Sequence, residues 1–180
     1  RGRRAVSSNY LEQLAAEWYE YRGYFVRRHV MVGAKPGGGY EGELTILAVH
    51  LEQRDVVQVE PSMDAHSWEK REQRYESRFA LGRHFIPQLV GDSADIGRLR
   101  QVALIGLGSS TNHPTLGGGE VLSLGEFLAR IVAAFRGEEN MTAQPVPQQY
   151  PILRTLQFIA DNHRSVIPAL LDEDPRQIRF

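Results

Sequence analysis

Residues 42–62, GELTILAVHLEQRDVVQVEPS, decide how the chain is read. Two short β-branched runs, ELTILAVH (43–50) and DVVQVE (55–60), flank a turn at EQRD, which is the pattern of neighbouring strands. The first run is apolar on both faces, as expected of a central strand covered by helices. Period-two geometry predicts Glu43, Thr45, Leu47 and Val49 on one face and Leu44, Ile46, Ala48 and His50 on the other. Glu60 shares its face with Gln58 and Val56, and Pro61, with no N–H to give a ladder, is expected to end the strand.

Upstream, SSNYLEQLAAEWYEYRG (7–23) reads as a helix. Asn9 and Glu12 have capping-box spacing, and Gly23 is a natural stop. Leu11, Leu14, Ala15 and Trp18 recur at helical spacing and should face the core, with Glu17 at the margin of that face. YFVRRHVMV (24–32) then reads as a strand and GAKPGGGYEGE (33–43) as a mobile loop.

Downstream, a long helix is expected from about Ser67 to Ile86, capped by Ser62, Asp64 or Ser67. Asp64 therefore reads as a cap more readily than as a metal ligand. Trp68, Tyr75 and Phe79 share one face of this helix; Lys70, Arg71, Arg74 and Arg78 lie to one side and Glu69, Glu72 and Glu76 to the other. RQVALIGLG (100–108) is a further strand, followed by a loose loop, SSTNHPTLGGGE (109–120). Ser123 and Glu126 form a second capping box before an apolar helix, and a Pro-bounded connector leads to a last amphipathic helix at about 149–163. The order predicts an α/β fold: a mixed central sheet flanked by helices on both faces. The expectation is one domain, residues 1–180, with the last helix packed on it and a frayed tail, DEDPRQIRF.

Composition narrows the functional classes. Apolar content of 42% and charged content of 24% are ordinary for a globular chain. A net charge of −1 gives no global basic field, so a polyanion would need a local patch. There is no cysteine, which removes thiolate metal sites and a cysteine nucleophile. No apolar run approaches the roughly 20 residues of a membrane span, and no signal pattern opens the chain, so a cytoplasmic location without membrane contact is expected. The first residue is not Met, which leaves room for a longer gene product. GLGSST (106–111) has Thr111 at the third glycine position of a dinucleotide loop and no helix pattern behind it. No GxSxG elbow or HExxH pair occurs, and His29 and His50 read as strand residues with structural hydrogen bonds.

The carboxylates suggest a different chemistry. A divalent ion such as Mg²⁺ is held by one or two carboxylates, with water and phosphate oxygens in its other positions. Such an ion activates water and neutralises charge in phosphodiester cleavage. Glu43 and Glu60, at the ends of adjacent strands, are placed to meet at one sheet edge, with Glu17 in reach from the first helix; solvated strand ends are the bland alternative. A helix N-terminus beside Glu60 would also suit a phosphate.

The helix with Glu17, GYFVRR, the glycine loop, GELTILAV and VVQVE together resemble the PD-(D/E)XK nuclease superfamily, the restriction endonuclease-like fold, over roughly residues 9–90. The resemblance implies an αβββαβ core, Mg²⁺ or Mn²⁺ as cofactor, and nucleic acid, DNA before RNA, as partner. It places Glu17 at the helix acid and Glu60 at the Glu of the third strand. It also places Thr45 where the family has Asp, and Ser62 where it has Lys. Glu43, two residues earlier, is the stand-in for the Asp. Lys70 is the stand-in for the Lys, since the chain's only other lysine, Lys35, lies in the glycine loop. On this reading Glu43 and Glu60 hold the metal, Glu17 orients water or a ligand, and Lys70 stabilises phosphate charge. Lys35, Arg71, Arg74 and Arg78 would contact nucleic acid. The rival reading is a catalytically silent domain that binds nucleic acid or a protein. A structural or oligomerisation module is the third.

Overall fold

The three runs between Phe25 and Ser62 form an antiparallel meander: β1 (Phe25–Ala34), β2 (Tyr40–His50) and β3 (Asp55–Ser62). The computed structural model describes residues 10–137 and 139–171, so Asn9 of the first expected capping box and the tail at 172–180 lie outside the described residues. The chain forms two compact units, one running through Phe127 and the other starting at Leu128.

In the first unit, α1 (Tyr10–Tyr21) precedes the meander and stops at Gly23, whose φ of +86° is the left-handed conformation of a helix terminator. The stretch expected as a mobile loop at 33–43 is instead a tight hairpin. Lys35 N–H donates to Gly39 O, Gly38 N–H donates to Lys35 O, and Gly38 and Gly39 take φ of +90° and +84°.

β3 continues into α2 (Trp68–Val90), and β4 (Arg100–Ile105) returns beside β3 in parallel. The loop expected at 109–120 holds two more strands, β5 (Thr115–Leu116) and β6 (Gly119–Ser123), joined at Gly117 and Gly118 in left-handed conformations. A two-residue β5 leaves too short a pattern for period-two reading. The sheet order is β1-β2-β3-β4-β6-β5, with β3-β4-β6 parallel and the other pairs antiparallel.

Pro61 does not end β3, which runs on to Ser62 opposite Ile105. Ser62 O accepts from Gly106 N–H, so Ser62 faces β4 and Pro61 faces the β2 side. There the β2–β3 ladder has already stopped at Ile46 opposite Val59, and the missing proline N–H leaves no acceptor stranded.

Val56 to Glu60 are buried without a break, so both faces of β3 are covered. Gln58 and Glu60 lie under α2: Gln58 Nε2 donates to Arg78 O, and a Cβ at Gly82 would sit 1.8 Å from Gln58 Oε1. α1 packs on β1, β2 and β3, and Leu11, Leu14 and Ala15 are buried as their spacing predicts. Trp68, Tyr75 and Phe79 pack with Ala103, Ile105 and Val121.

α3 (Leu124–Arg136) begins with the expected capping box, Ser123 N–H donating to Glu126 Oε2 and Glu126 N–H to Ser123 Oγ. The second unit carries the rest of α3, then α4 (Pro151–Asp161) and α5 (His163–Leu171), two helices where one was expected. Its buried Gln157 accepts from Val146 N–H and donates to the carbonyls of Glu139 and Gln144, tying the connector to α4. Among the described residues no helix is long and apolar enough to cross a membrane.

Candidate functional site

The alternation of β1 and β2 slips by one residue at His29 and Thr45. Val30, Val32 and Leu44 share a core cluster with Leu47, Val56 and, from α2, Ile86 and Val90. A Cβ on Gly42 would strike Leu81 of the same helix. Leu44 and Leu47, three apart, face the same helix only if one residue between them is out of step. On the paired strand Phe25, Arg27 and Val30 line one groove with Leu47, Val49 and Leu89. His29 takes φ of +54°, and the direct 29–45 pair is missing between Arg28–Ile46 and Val30–Leu44. A slip in both strands at once preserves register while exchanging faces.

The slip corrects the expectation that Glu43 and Thr45 share a face. Glu43 Oε1 lies 2.6 Å from His29 Nδ1, and His29 Nε2 lies 2.8 Å from Glu12 Oε1 on α1. Thr45 turns the other way, with its hydroxyl towards Glu60 and Arg78 of α2. The Glu43 carboxylate therefore does not face Glu60 from the side on which Thr45 does.

Glu60 is 3% exposed, and its carboxylate is filled by the protein. Oε1 accepts from Thr45 N–H at 3.1 Å and Gln58 Nε2 at 2.9 Å; Oε2 accepts from Thr45 Oγ1 at 2.5 Å and Arg78 Nη1 at 3.4 Å. The backbone of Glu60 is held too, since its carbonyl accepts from Tyr75 Oη at 3.2 Å. Arg78 Nη1 also donates to Glu43 O at 2.9 Å and approaches Thr45 Oγ1 at 3.4 Å. Thr45, Glu60, Pro61, Arg74, Tyr75 and Arg78 line a cleft of about 90 Å³.

A second cluster closes the end of β3. Asp64 was expected as a cap, but Ser67 takes the N-cap position of α2, without a side-chain cap bond, and Asp64 anchors arginines instead. It accepts from Arg74 Nη1, Ser62 Oγ and His66 N–H, with Arg71 Nε at 3.4 Å. Burial alone would raise the Asp64 carboxyl. The bonds from Ser62 and Arg74, then the His66 N–H, outweigh it and hold the group well below the usual carboxylate range. Burial likewise raises the Tyr75 hydroxyl.

Arg71 does not lie on an accessible basic flank. It is 5% exposed, donates to the carbonyls of Leu107 and Asp64, and stacks over Trp68, so it fastens α2 to the ends of β3 and β4. Lys70 is exposed, two turns and about 12 Å along the axis before Arg78 at 1.5 Å per residue. Glu17 is buried on α1 and accepts from Gln13 Nε2 at 3.0 Å. Lys35 is exposed in the β1–β2 turn. Of the expected site residues, the structure joins Glu60 directly to Arg78 and places Arg74 in the same cleft.

The donor set does not fit a divalent ion. Both Glu60 oxygens already accept protein donors, one of them cationic. Among the described residues no group of three or more His, Asp or Glu is placed to share a metal. Sequence reading missed the pairing of Arg78 with Glu60 and the Glu12–His29–Glu43 bridge. The spacing of Arg71, Arg74 and Arg78 along one helix flank was the available signal for the first. No family model and no curated protein matches the chain.

Proposed function

We propose that the first unit is a restriction endonuclease-like domain that binds nucleic acid without cutting it. The observation that carries this reading is the filled carboxylate of Glu60. Thr45 stands where the resembled family has an acid, and its hydroxyl donates a hydrogen bond to Glu60 instead of sharing a metal with it. Arg78 neutralises the same carboxylate from α2.

The order of helix, three strands, helix and strand supports the fold half of the reading. The nucleic-acid half rests on the cleft. Arg74 and Arg78 line it, Arg78 paired with Glu60 and Arg74 with Asp64, an anion that the buried Arg71 also approaches, and the exposed Lys70 extends the positive flank. Arg74 and Arg78 are each more than a third exposed, leaving guanidinium edges open to phosphate oxygens. A patch of this size supplies backbone contacts rather than base readout, so binding should weaken steeply with salt.

The test pairs two assays. Plasmid, single-stranded DNA and RNA are incubated with Mg²⁺ or Mn²⁺ beside Glu60→Gln, and labelled oligonucleotides are titrated by fluorescence anisotropy. The reading expects no metal-dependent cutting and salt-sensitive binding that Arg74→Gln and Lys70→Gln weaken. Cutting that vanishes in Glu60→Gln would establish the rearranged hydrolase instead. Absence of binding to every nucleic acid would leave a protein-binding or structural module.

A further inference from the structure

We infer that Arg78 is a resident cation, holding the centre of an oxygen cage that would otherwise take a divalent metal ion. Three oxygens of different kinds converge on Arg78 Nη1: the Glu43 carbonyl at 2.9 Å, the Thr45 hydroxyl at 3.4 Å and Glu60 Oε2 at 3.4 Å. Carboxylate, hydroxyl and backbone carbonyl are the hard oxygen donors that Mg²⁺, Mn²⁺ and Ca²⁺ take. The strand slip builds the cage. It turns the Glu43 side chain towards His29 while the Glu43 carbonyl accepts from Arg78. Thr45 keeps the α2 face it shares with Leu47, and past the last β2–β3 pair Thr45 N–H turns to Glu60 Oε1.

The guanidinium excludes the ion in two ways. It fills the space, and it puts a positive charge where a second one would have to come. A hydroxyl alone adds no charge to the cage, so Glu60 is balanced by one Arg and nothing electrostatic favours a dication. Removing Arg78 leaves the buried carboxylate of Glu60 without its paired cation and the three oxygens without that donor, so a divalent ion can take the place of the guanidinium. Replacing Thr45 by Asp adds a second carboxylate to the same cage.

This inference deepens the reading of a non-cutting domain, and Mn²⁺ uptake is read without nucleic acid, so each can fail alone. The experiment is Mn²⁺ titration of the full chain by electron paramagnetic resonance, for wild type, Arg78→Gln, Arg78→Lys, and Thr45→Asp combined with Arg78→Gln. Glutamine keeps hydrogen-bond donors in the cage but not the charge, and circular dichroism confirms the fold of each variant. Wild type and Arg78→Lys are expected to show no saturable site. Arg78→Gln is expected to bind one Mn²⁺, and the double variant to bind about tenfold more tightly, as added ligand charge tightens such sites. Adding Glu60→Gln to the double variant should abolish the site.

Saturable binding by wild type that Glu60→Gln removes would overturn the inference, because the guanidinium would not be excluding the ion. Folded variants that bind nothing would overturn it as well, because the oxygens would not form a cation cage. Should Arg78→Gln be unstable alone, its thermal midpoint must rise on adding Mn²⁺ and not on adding the same concentration of K⁺; no rise refutes the cage.

Discussion

Thr45 donates both its N–H and its hydroxyl to the carboxylate of Glu60, one to each oxygen, at 3.1 and 2.5 Å. The two residues stand opposite one another just beyond the last ladder pair, Ile46–Val59. A side chain thus completes the pairing that the backbone gives up where β2 and β3 splay.

The hydroxyl is the removable half of that relationship. Thr45→Val keeps the shape and the N–H donor but strips one charge-assisted bond from a buried carboxylate, worth about 1.5–3 kcal/mol. Urea denaturation should show a loss of that size, with Thr45→Ser close to wild type. A Val variant as stable as wild type would mean that the hydroxyl bond contributes nothing.

Arg78 offsets the buried charge. Breaking a buried pair from one side costs about 3–5 kcal/mol, and the partial exposure and 3.4 Å separation of this pair bring the expected loss for Arg78→Met to about 2 kcal/mol. With Glu60→Gln already in place, the same substitution should cost much less. A double-mutant cycle returns the coupling directly, and a coupling near zero would remove Arg78 as the counter-ion.

The meander and the α2 core were legible in the sequence because they follow simple periods. Leu11, Leu14, Ala15, Tyr75 and Phe79 are buried where spacing puts them. The site was less legible for one physical reason: a single out-of-step residue in each of two strands inverts every face assignment beyond it. Glu43 was therefore read onto the wrong side, and no residue type at 29 or 45 announces the slip, since His and Thr are ordinary in strands. Pro61 misled in the opposite direction, because its position on the unpaired side of β3 is tertiary information. Arg71 looked like its neighbours Lys70 and Arg74, and only the carbonyls of Leu107 and Asp64 distinguish it.

Asp64 links stability to acid. Its carboxyl lies below the ordinary value of about 3.9 in the folded protein because Ser62, Arg74 and His66 favour the charged form. A depressed folded value stabilises the protein above the unfolded value and is lost as pH falls through the folded one. Asp64→Asn should be less stable than wild type at neutral pH, and the gap should narrow below about pH 4. Unfolding free energies measured from neutral pH downwards decide this; a constant gap would show that Asp64 acts by packing alone.

The slip itself is tested at His29. A regular strand disfavours glycine by about 0.5–1 kcal/mol relative to alanine, because glycine loses more backbone freedom on folding. At φ of +54° the preference reverses, since an L side chain in the left-handed region costs about 1–2 kcal/mol that glycine avoids. Both His29→Ala and His29→Gly lose the bridge between Glu12 and Glu43, so the bridge cancels in comparing them. His29→Gly should therefore unfold at higher urea than His29→Ala, by about 1 kcal/mol in free energy. The opposite order would mean that β1 keeps regular alternation through residue 29. Glu43 would then return to the face of Thr45, and the cage around Arg78 would lose its geometry.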